Sequence, residues 1–336
     1  MKSMFKTGIL HHGGIMVNYQ CNAACRHCLY SCSPQRKPGY IDEETAEEVC
    51  RILCEGGCSS VHIGGGEPFI NFDGLIVMIQ KLKKARIKLE YIETNAFWAL
   101  DLKRANDILA RLLGEGVNTL CISIDPFHAE FVPYCAPLSL AKLCDKNGMG
   151  YFLWKQEFLS VLSRLDPQKN HSRSEMEKAL MKDYVIKTAN RYGISYGGRA
   201  VNIENEYSIL QNVNKLSIDN TPCKNLLSTG HFHVDKNSFF IPPRCTGFCI
   251  PLSEVIGGIP EGKYPAFEAL YHGGVSALYE LANKNSFQAD SAGYPSKCSL
   301  CFYIRKFLSE MDFAELDKNH YDEALKNYSH TIDNLD

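Results

Sequence analysis

Three cysteines, Cys21, Cys25 and Cys28, fall within eight consecutive residues, with three and then two residues between them. Soft thiolate ligands gathered on one short loop select iron-sulfur or zinc centres, and three of them can each take a different iron of a cubane cluster. No fourth cysteine completes the local spacing. Cys32 lies four residues beyond Cys28, and the pattern reads as a three-point mount that leaves one iron open. An open coordination position marks a catalytic centre, whereas a structural centre is closed by protein on all sides. A second group of cysteines lies far along the chain: Cys223, Cys245 and Cys249, then the C-x2-C pair Cys298 and Cys301. Four thiolates from this group can close another centre, a cluster or a zinc ion.

The first loop needs a scaffold. From Gly14 to Gly197 short β-rich runs alternate with helical patterns, as in repeated βα units on a parallel sheet. The strand expectations are 15–19, 60–63, 89–94, 119–124, 151–154 and 194–196. Between them, Asp42 is placed to cap a helix carrying Ala46, Val49, Cys50 and Leu53 at helical spacing before Gly56-Gly57, and similar patterns cover 75–84, 102–113, 140–145 and 175–192. Six such units predict an α/β fold, a (β/α)6 partial TIM-like barrel, with ligands bound at the carboxyl ends of the strands. Cys21 to Cys28 then follows the first strand, and Gly64-Gly65-Gly66-Glu67-Pro68 follows the second, on the same rim. After Asn202 the alternation stops, which predicts two domains, 1–205 and a smaller cluster-binding 206–336. In the latter, His231 to Ile241 reads as a β-hairpin turning at Asp235-Lys236-Asn237-Ser238.

Composition bounds the function. With 336 residues, 45% hydrophobic, the chain can bury a large core, and a net charge of -2 leaves no basic face for nucleic acid or an anionic membrane. The sequence has no apolar run of membrane-spanning length and no secretory signal, so a cytoplasmic location is expected. Fifteen cysteines in a reducing compartment point to metal ligation or burial rather than disulfides. Cys50 and Cys54 on their helical stripe, Cys121 and Cys144 read as core.

The C-x3-C-x2-C loop followed by Gly-Gly-Glu-Pro after the next strand resembles the radical S-adenosylmethionine (SAM) superfamily over residues 14–200. The resemblance implies that Cys21, Cys25 and Cys28 hold a [4Fe-4S] cluster whose open iron is chelated by SAM. It further implies reductive cleavage of SAM to a 5′-deoxyadenosyl radical, with electrons from an external donor such as flavodoxin or ferredoxin. Gly65, Gly66, Glu67 and Pro68 are then expected at the SAM amino group and His27 against the adenine. Cys121, Ser123 and Asp125 alternate onto one strand face, which places Ser123 and Asp125 at the rim near the ribose hydroxyls, with Asn95 comparable on the neighbouring strand. Arg199, after Gly197-Gly198, is a candidate partner for the SAM carboxylate. The C-terminal cysteines resemble a SPASM or twitch auxiliary domain, which implies a second [4Fe-4S] cluster on Cys223, Cys245, Cys298 and Cys301. Cys245 is preferred to Cys249 because it follows the hairpin and a proline. A zinc site remains open there. His231 and His233 would point the same way on a strand, as metal ligands or as hydrogen-bonding neighbours of a cluster.

The substrate is not specified by these residues. A ribosomal peptide leads by resemblance. Only 20 residues precede Cys21, so a peptide-recognition domain is expected on a separate chain. Activation of a glycyl-radical enzyme and the oxidation or mutase-type rearrangement of a small molecule are the other enzymatic readings, and a non-catalytic iron-sulfur carrier or metal-binding regulator is the reading outside catalysis.

Overall fold

The computed structural model describes residues 4–326; the first three and last ten residues of the two expected domains lie outside it. Its centre is an eight-stranded, mostly parallel sheet. We number its strands β1 (His12–Met16), β2 (Ser60–Gly64), β3 (Lys88–Thr94), β4 (Thr119–Ser123), β5 (Gly150–Trp154), β6 (Phe232–Asp235), β7 (Phe239–Ile241) and β8 (Ile250–Pro251). Their spatial order is β5-β4-β3-β2-β1-β6-β7-β8. The first six named in chain order run parallel, and β7 and β8 are each antiparallel to the strand before them.

Helices α1 (Glu43–Glu55), α2 (Phe72–Ala85), α3 (Leu102–Glu115) and α4 (Cys135–Asn147) connect the first five strands. Their starts are dictated locally: Asp42, Asn71 and Asp101 each accept a backbone N–H of the first turn, satisfying donors that a helix leaves unpaired. In α1 the predicted stripe is buried, with Val49 and Leu53 fully enclosed, each such side chain worth about 1.5–3 kcal/mol of apolar burial. Cys54 is the exception: it is exposed, one helical position off that stripe.

Two strand expectations change. The first strand begins at His12 and ends at Met16; residues 17–20 instead bond irregularly to the loop after β2, through Val17 N to Gly64 O, Gly66 N to Asn18 O and Glu67 N to Gln20 O. Residues 194–196 form no strand. Gly193 and Gly198 take left-handed backbone on either side of them, and the segment crosses the cysteine loop, where Arg199 N donates to Cys28 O. The sixth parallel strand is β6, on the opposite side of β1. Its hairpin with β7 turns through Ser238, at φ 63°, as the turn residues predicted.

The helical pattern at 175–192 is two helices, Arg173–Leu180 and Tyr184–Tyr192, broken at Met181. Beyond β8, helices Pro265–Lys284 and Lys297–Leu308 pack on each other. Buried apolar side chains run without a break from α1–α4 to Phe302 and Leu308 of the last of these. No helix among the described residues is long and apolar enough to cross a membrane.

Candidate active site

The loops after β1, β2, β3 and β4 meet the 193–199 segment around a cavity of about 410 Å³. Cys21, Cys25 and Cys28 line it, on the rim where the strands end, together with Gly65, Gly66 and Glu67.

Local bonds shape the cysteine loop. Cys28 N donates to Cys25 O at 3.1 Å, and backbone amides of Ala23 and Cys32 donate to the sulfurs of Cys21 and Cys28 at 3.4 and 3.3 Å. Asn95 Nδ2 adds a donor 3.8 Å from Cys21 Sγ while holding Asn22 Oδ1 at 2.8 Å. Such donors favour the thiolate, the form that ligates iron. Burial pushes the thiols of Cys21, Cys25 and Cys32 up, whereas Cys28 is pulled down to about 5, chiefly by the Cys32 thiol and further by Arg199. Three thiols on one loop, two of them supplied with amide donors and all lining one cavity, fit an iron-sulfur cluster.

Arg199 sits differently from its expectation. It is buried, and its guanidinium donates to Cys25 O at 2.9 Å and Cys32 O at 2.8 Å, so it braces the loop from behind and does not line the cavity. Charge-assisted bonds to carbonyls that have no helix or strand partner are the physical reason.

Close packing of the two strand-end loops explains the glycines. A Cβ on Gly66 would run into the Gln20 carbonyl, and one on Gly65 would press on Asn18 Oδ1. Asn18 itself accepts from Gly66 N and donates to Glu67 O. The Glu67 carboxylate is nearly inaccessible; Oε1 accepts from Phe69 N and Thr94 Oγ1, and Oε2 from Asn95 N at 2.7 Å, which leaves Oε2 a second lone pair toward the cavity. Burial nevertheless pushes this carboxyl up to about 7. Pro68 is buried behind it, opening a short 3-10 turn.

His27 lies face-on to Phe127 at 4.9 Å and edge-on to Tyr192 at 4.7 Å, and burial lowers it to about 4, so it presents a neutral aromatic plate. Ser123 and Cys121 line the cavity, as their strand face predicted, so Cys121 belongs to the cavity wall as well as the core. Asp125 does not line it. It caps the turn Pro126–Ala129, accepting from Phe127 N and His128 N, and bonds His128 Nδ1 at 2.6 Å. Burial opposes charge on His128, but Asp125 and the Cys25 sulfur outweigh it and hold the imidazole well above its ordinary range. His128 lines the cavity, and Asn18 and Asn22 hold the loops around it, yet none of the three carries a motif signal; only strand-end position could have suggested them.

Cys223, Cys245, Cys298 and Cys301 come together from three segments. Burial, and after it the charge of Cys245, pushes the thiols of Cys223, Cys298 and Cys301 up, and Cys298 and Cys301 share one face of the first turn of helix Lys297–Leu308. Cys249 points elsewhere, toward Asp317, Asp235 and Arg36. Arg305, one turn beyond Cys301, is buried beside these sulfurs and donates to Thr246 O at 2.7 Å and Tyr321 Oη at 3.0 Å.

Residues 15–148 match the radical SAM superfamily. Over 118 residues the chain is 29% identical to the "Putative peptide biosynthesis protein YydG" of Bacillus subtilis (strain 168), covering 35% of this chain and 37% of that one. It is 30% identical over 122 residues to a GTP 3′,8-cyclase of Synechococcus sp. (strain CC9902), covering 35% and 33%. The chain thus spans little more than a third of the length of the curated relatives it matches. Among solved structures, native anSMEcpe with bound AdoMet aligns with 94% of this chain and 95% of its own at 16% identity and a TM-score of 0.42. Streptococcus suis SuiB bound to precursor peptide SuiA aligns with 88% and 76% at 14% identity and 0.36. Likenesses this loose carry no functional argument.

Proposed function

With residues 15–148 forming a radical SAM domain, we propose that this chain is a radical SAM enzyme acting on a peptide, with an auxiliary iron-sulfur centre in residues 206–336. The observation that carries the reading is the placement of Cys21, Cys25 and Cys28 in the wall of one cavity together with Gly65, Gly66 and Glu67, whose turn is bonded to the strand end just before Cys21. A [4Fe-4S] cluster held there by Cys21, Cys25 and Cys28 would supply the electron for reductive cleavage of SAM, and SAM the 5′-deoxyadenosyl group that would take hydrogen from the substrate.

The chain's own residues do the positioning. Cys21, Cys25 and Cys28 hold the cluster, and Arg199 and Asn95 hold the loop that carries them. Gly65 and Gly66 allow backbone to approach the SAM amino end, toward which Glu67 offers its spare lone pair; Pro68 fixes the turn. His27 backs the adenine, Ser123 is available to the ribose, and Asp125 acts through His128 rather than on the nucleoside. Cys223, Cys245, Cys298 and Cys301 are assigned to a second [4Fe-4S] cluster. The likeness to a peptide biosynthesis protein supports a peptide substrate, and a flavodoxin or ferredoxin is the electron donor that the chemistry calls for.

The test is anaerobic reconstitution followed by dithionite reduction with SAM. 5′-Deoxyadenosine detected by mass spectrometry, dependent on Cys25, is the expected result. Iron-loaded protein that forms none would overturn the assignment and favour an electron carrier.

A further inference from the structure

The lining of the same cavity also takes in residues of the sheet below the cysteine loop, His231 and His233 among them. There His62 of β2 and His233 of β6 stand at one level on either side of Gly14 in β1, each in register with it. Because Gly14 has no Cβ, both rings lean over it; a methyl group there would collide with His62 Nε2 and press on His233 Cδ2. Their Nε2 atoms meet at 3.1 Å. His231, one level nearer the strand start, lies parallel to the His62 ring at 5.3 Å and edge-on to His233 at 5.1 Å. One nitrogen from each of the three falls within 4.8 Å of the others.

We propose that His62, His231 and His233 bind one divalent late transition-metal ion, zinc or a chemical neighbour of it, at the strand-start end of the cavity, a site separate from both cysteine centres. Nitrogen ligands on a tetrahedral ion at about 2.0–2.1 Å stand roughly 3.3 Å apart, close to the separation already present between His62 and His233. Imidazole is the ligand type such ions favour over calcium or magnesium. Desolvation, strongest at the buried His62 and His233, holds the three rings below their ordinary range, so they carry free lone pairs at neutral pH.

The surroundings have the form of an outer shell. Tyr30 Oη lies 3.1 Å from His233 Nδ1, which leaves Nε2 facing the cluster of rings. His12, beside His231, is paired with Glu90 at 3.1 Å. Glu93 Oε1 is 3.7 Å from His62 Nε2 on the cavity side. His231 is exposed, so an ion can enter from outside, while His231 and His233 also line the cavity. Three protein ligands leave further positions for water or a carbonyl oxygen of whatever fills the cavity, the arrangement of an open zinc site.

The test uses the full chain with its iron-sulfur sites reconstituted, stripped of loosely bound metal and titrated anaerobically with zinc against a chromophoric chelator. One equivalent is expected to bind. Zinc K-edge absorption should show nitrogen or oxygen neighbours at about 2.0–2.1 Å and none of the sulfur scattering near 2.3 Å that a cysteine site would produce. His62→Gln and His233→Gln should each weaken binding on the order of 100-fold. His231→Gln, at the exposed edge where folding is not at stake, should also weaken it, while His11→Gln should not. No bound zinc, sulfur in its first shell, or affinity unchanged in His231→Gln overturns the proposal. None of these readouts involves SAM cleavage, so the site and the radical SAM reading stand or fall separately.

Discussion

The two cysteine sites are built in opposite ways. Cys21, Cys25 and Cys28 occupy a single eight-residue loop whose shape comes from its own turn bonds, whereas Cys223, Cys245, Cys298 and Cys301 arrive from three segments spread over 79 residues of sequence. Both rest on a buried arginine, but Arg199 grips the backbone of its loop, while Arg305 lies beside the sulfurs themselves and springs from the same helix as two of them. A local site survives small shifts of the fold because its ligands move together. A dispersed site depends on the packing of every segment that contributes.

The sharpest way to break this comparison is at the ligands. Cys25→Ser is expected to abolish 5′-deoxyadenosine formation, measured by mass spectrometry after dithionite reduction. Cys298→Ser combined with Cys301→Ser should remove about four irons per chain, one cubane, yet leave uncoupled SAM cleavage within about twofold, since distant sites act nearly independently. Equal loss of SAM cleavage in both variants would mean that the two sites are not separable.

Next in size are the arginines. Arg199→Met removes bonds to two buried carbonyls and should cost about 2–4 kcal/mol in denaturant unfolding, with faster bleaching of the first cluster in air. Arg305→Met should leave the first cluster intact and change the spectrum or potential of the second. The reverse pattern would contradict the placement of both guanidiniums.

The smallest effect is a pH dependence at Glu67. Its folded carboxyl is raised to about 7 from the ordinary 4.5, so between those values the folded chain holds more protons than the unfolded one, and stability falls as pH rises from 4.5 to 7. Glu67→Gln should flatten that slope in unfolding curves taken across the window. An unchanged slope would place the titration elsewhere.

Much of the first site was legible because its information is local. Cysteine spacing, the Gly-Gly-Glu-Pro turn and strand alternation at Cys121 and Ser123 all act within a few residues. Arg199 and Asp125 were found by position, but their partners were not, since only the folded chain brings the Cys25 carbonyl to Arg199 and His128 to Asp125 in the right orientation. The strand expected at 194–196 failed for a related reason: three residues between glycines form a ladder only if a neighbouring edge is offered, and the chain crosses the cysteine loop there instead.

The sequence by itself determined the first cysteine loop, the βα alternation and the helix starts, because each depends on neighbours a few residues apart. The tertiary structure alone decided that a hairpin near residue 235 supplies the sixth parallel strand and that histidines 171 residues apart meet over Gly14. Those are contacts of long sequence separation, fixed by how strands order in the sheet, and no local spacing encodes that order.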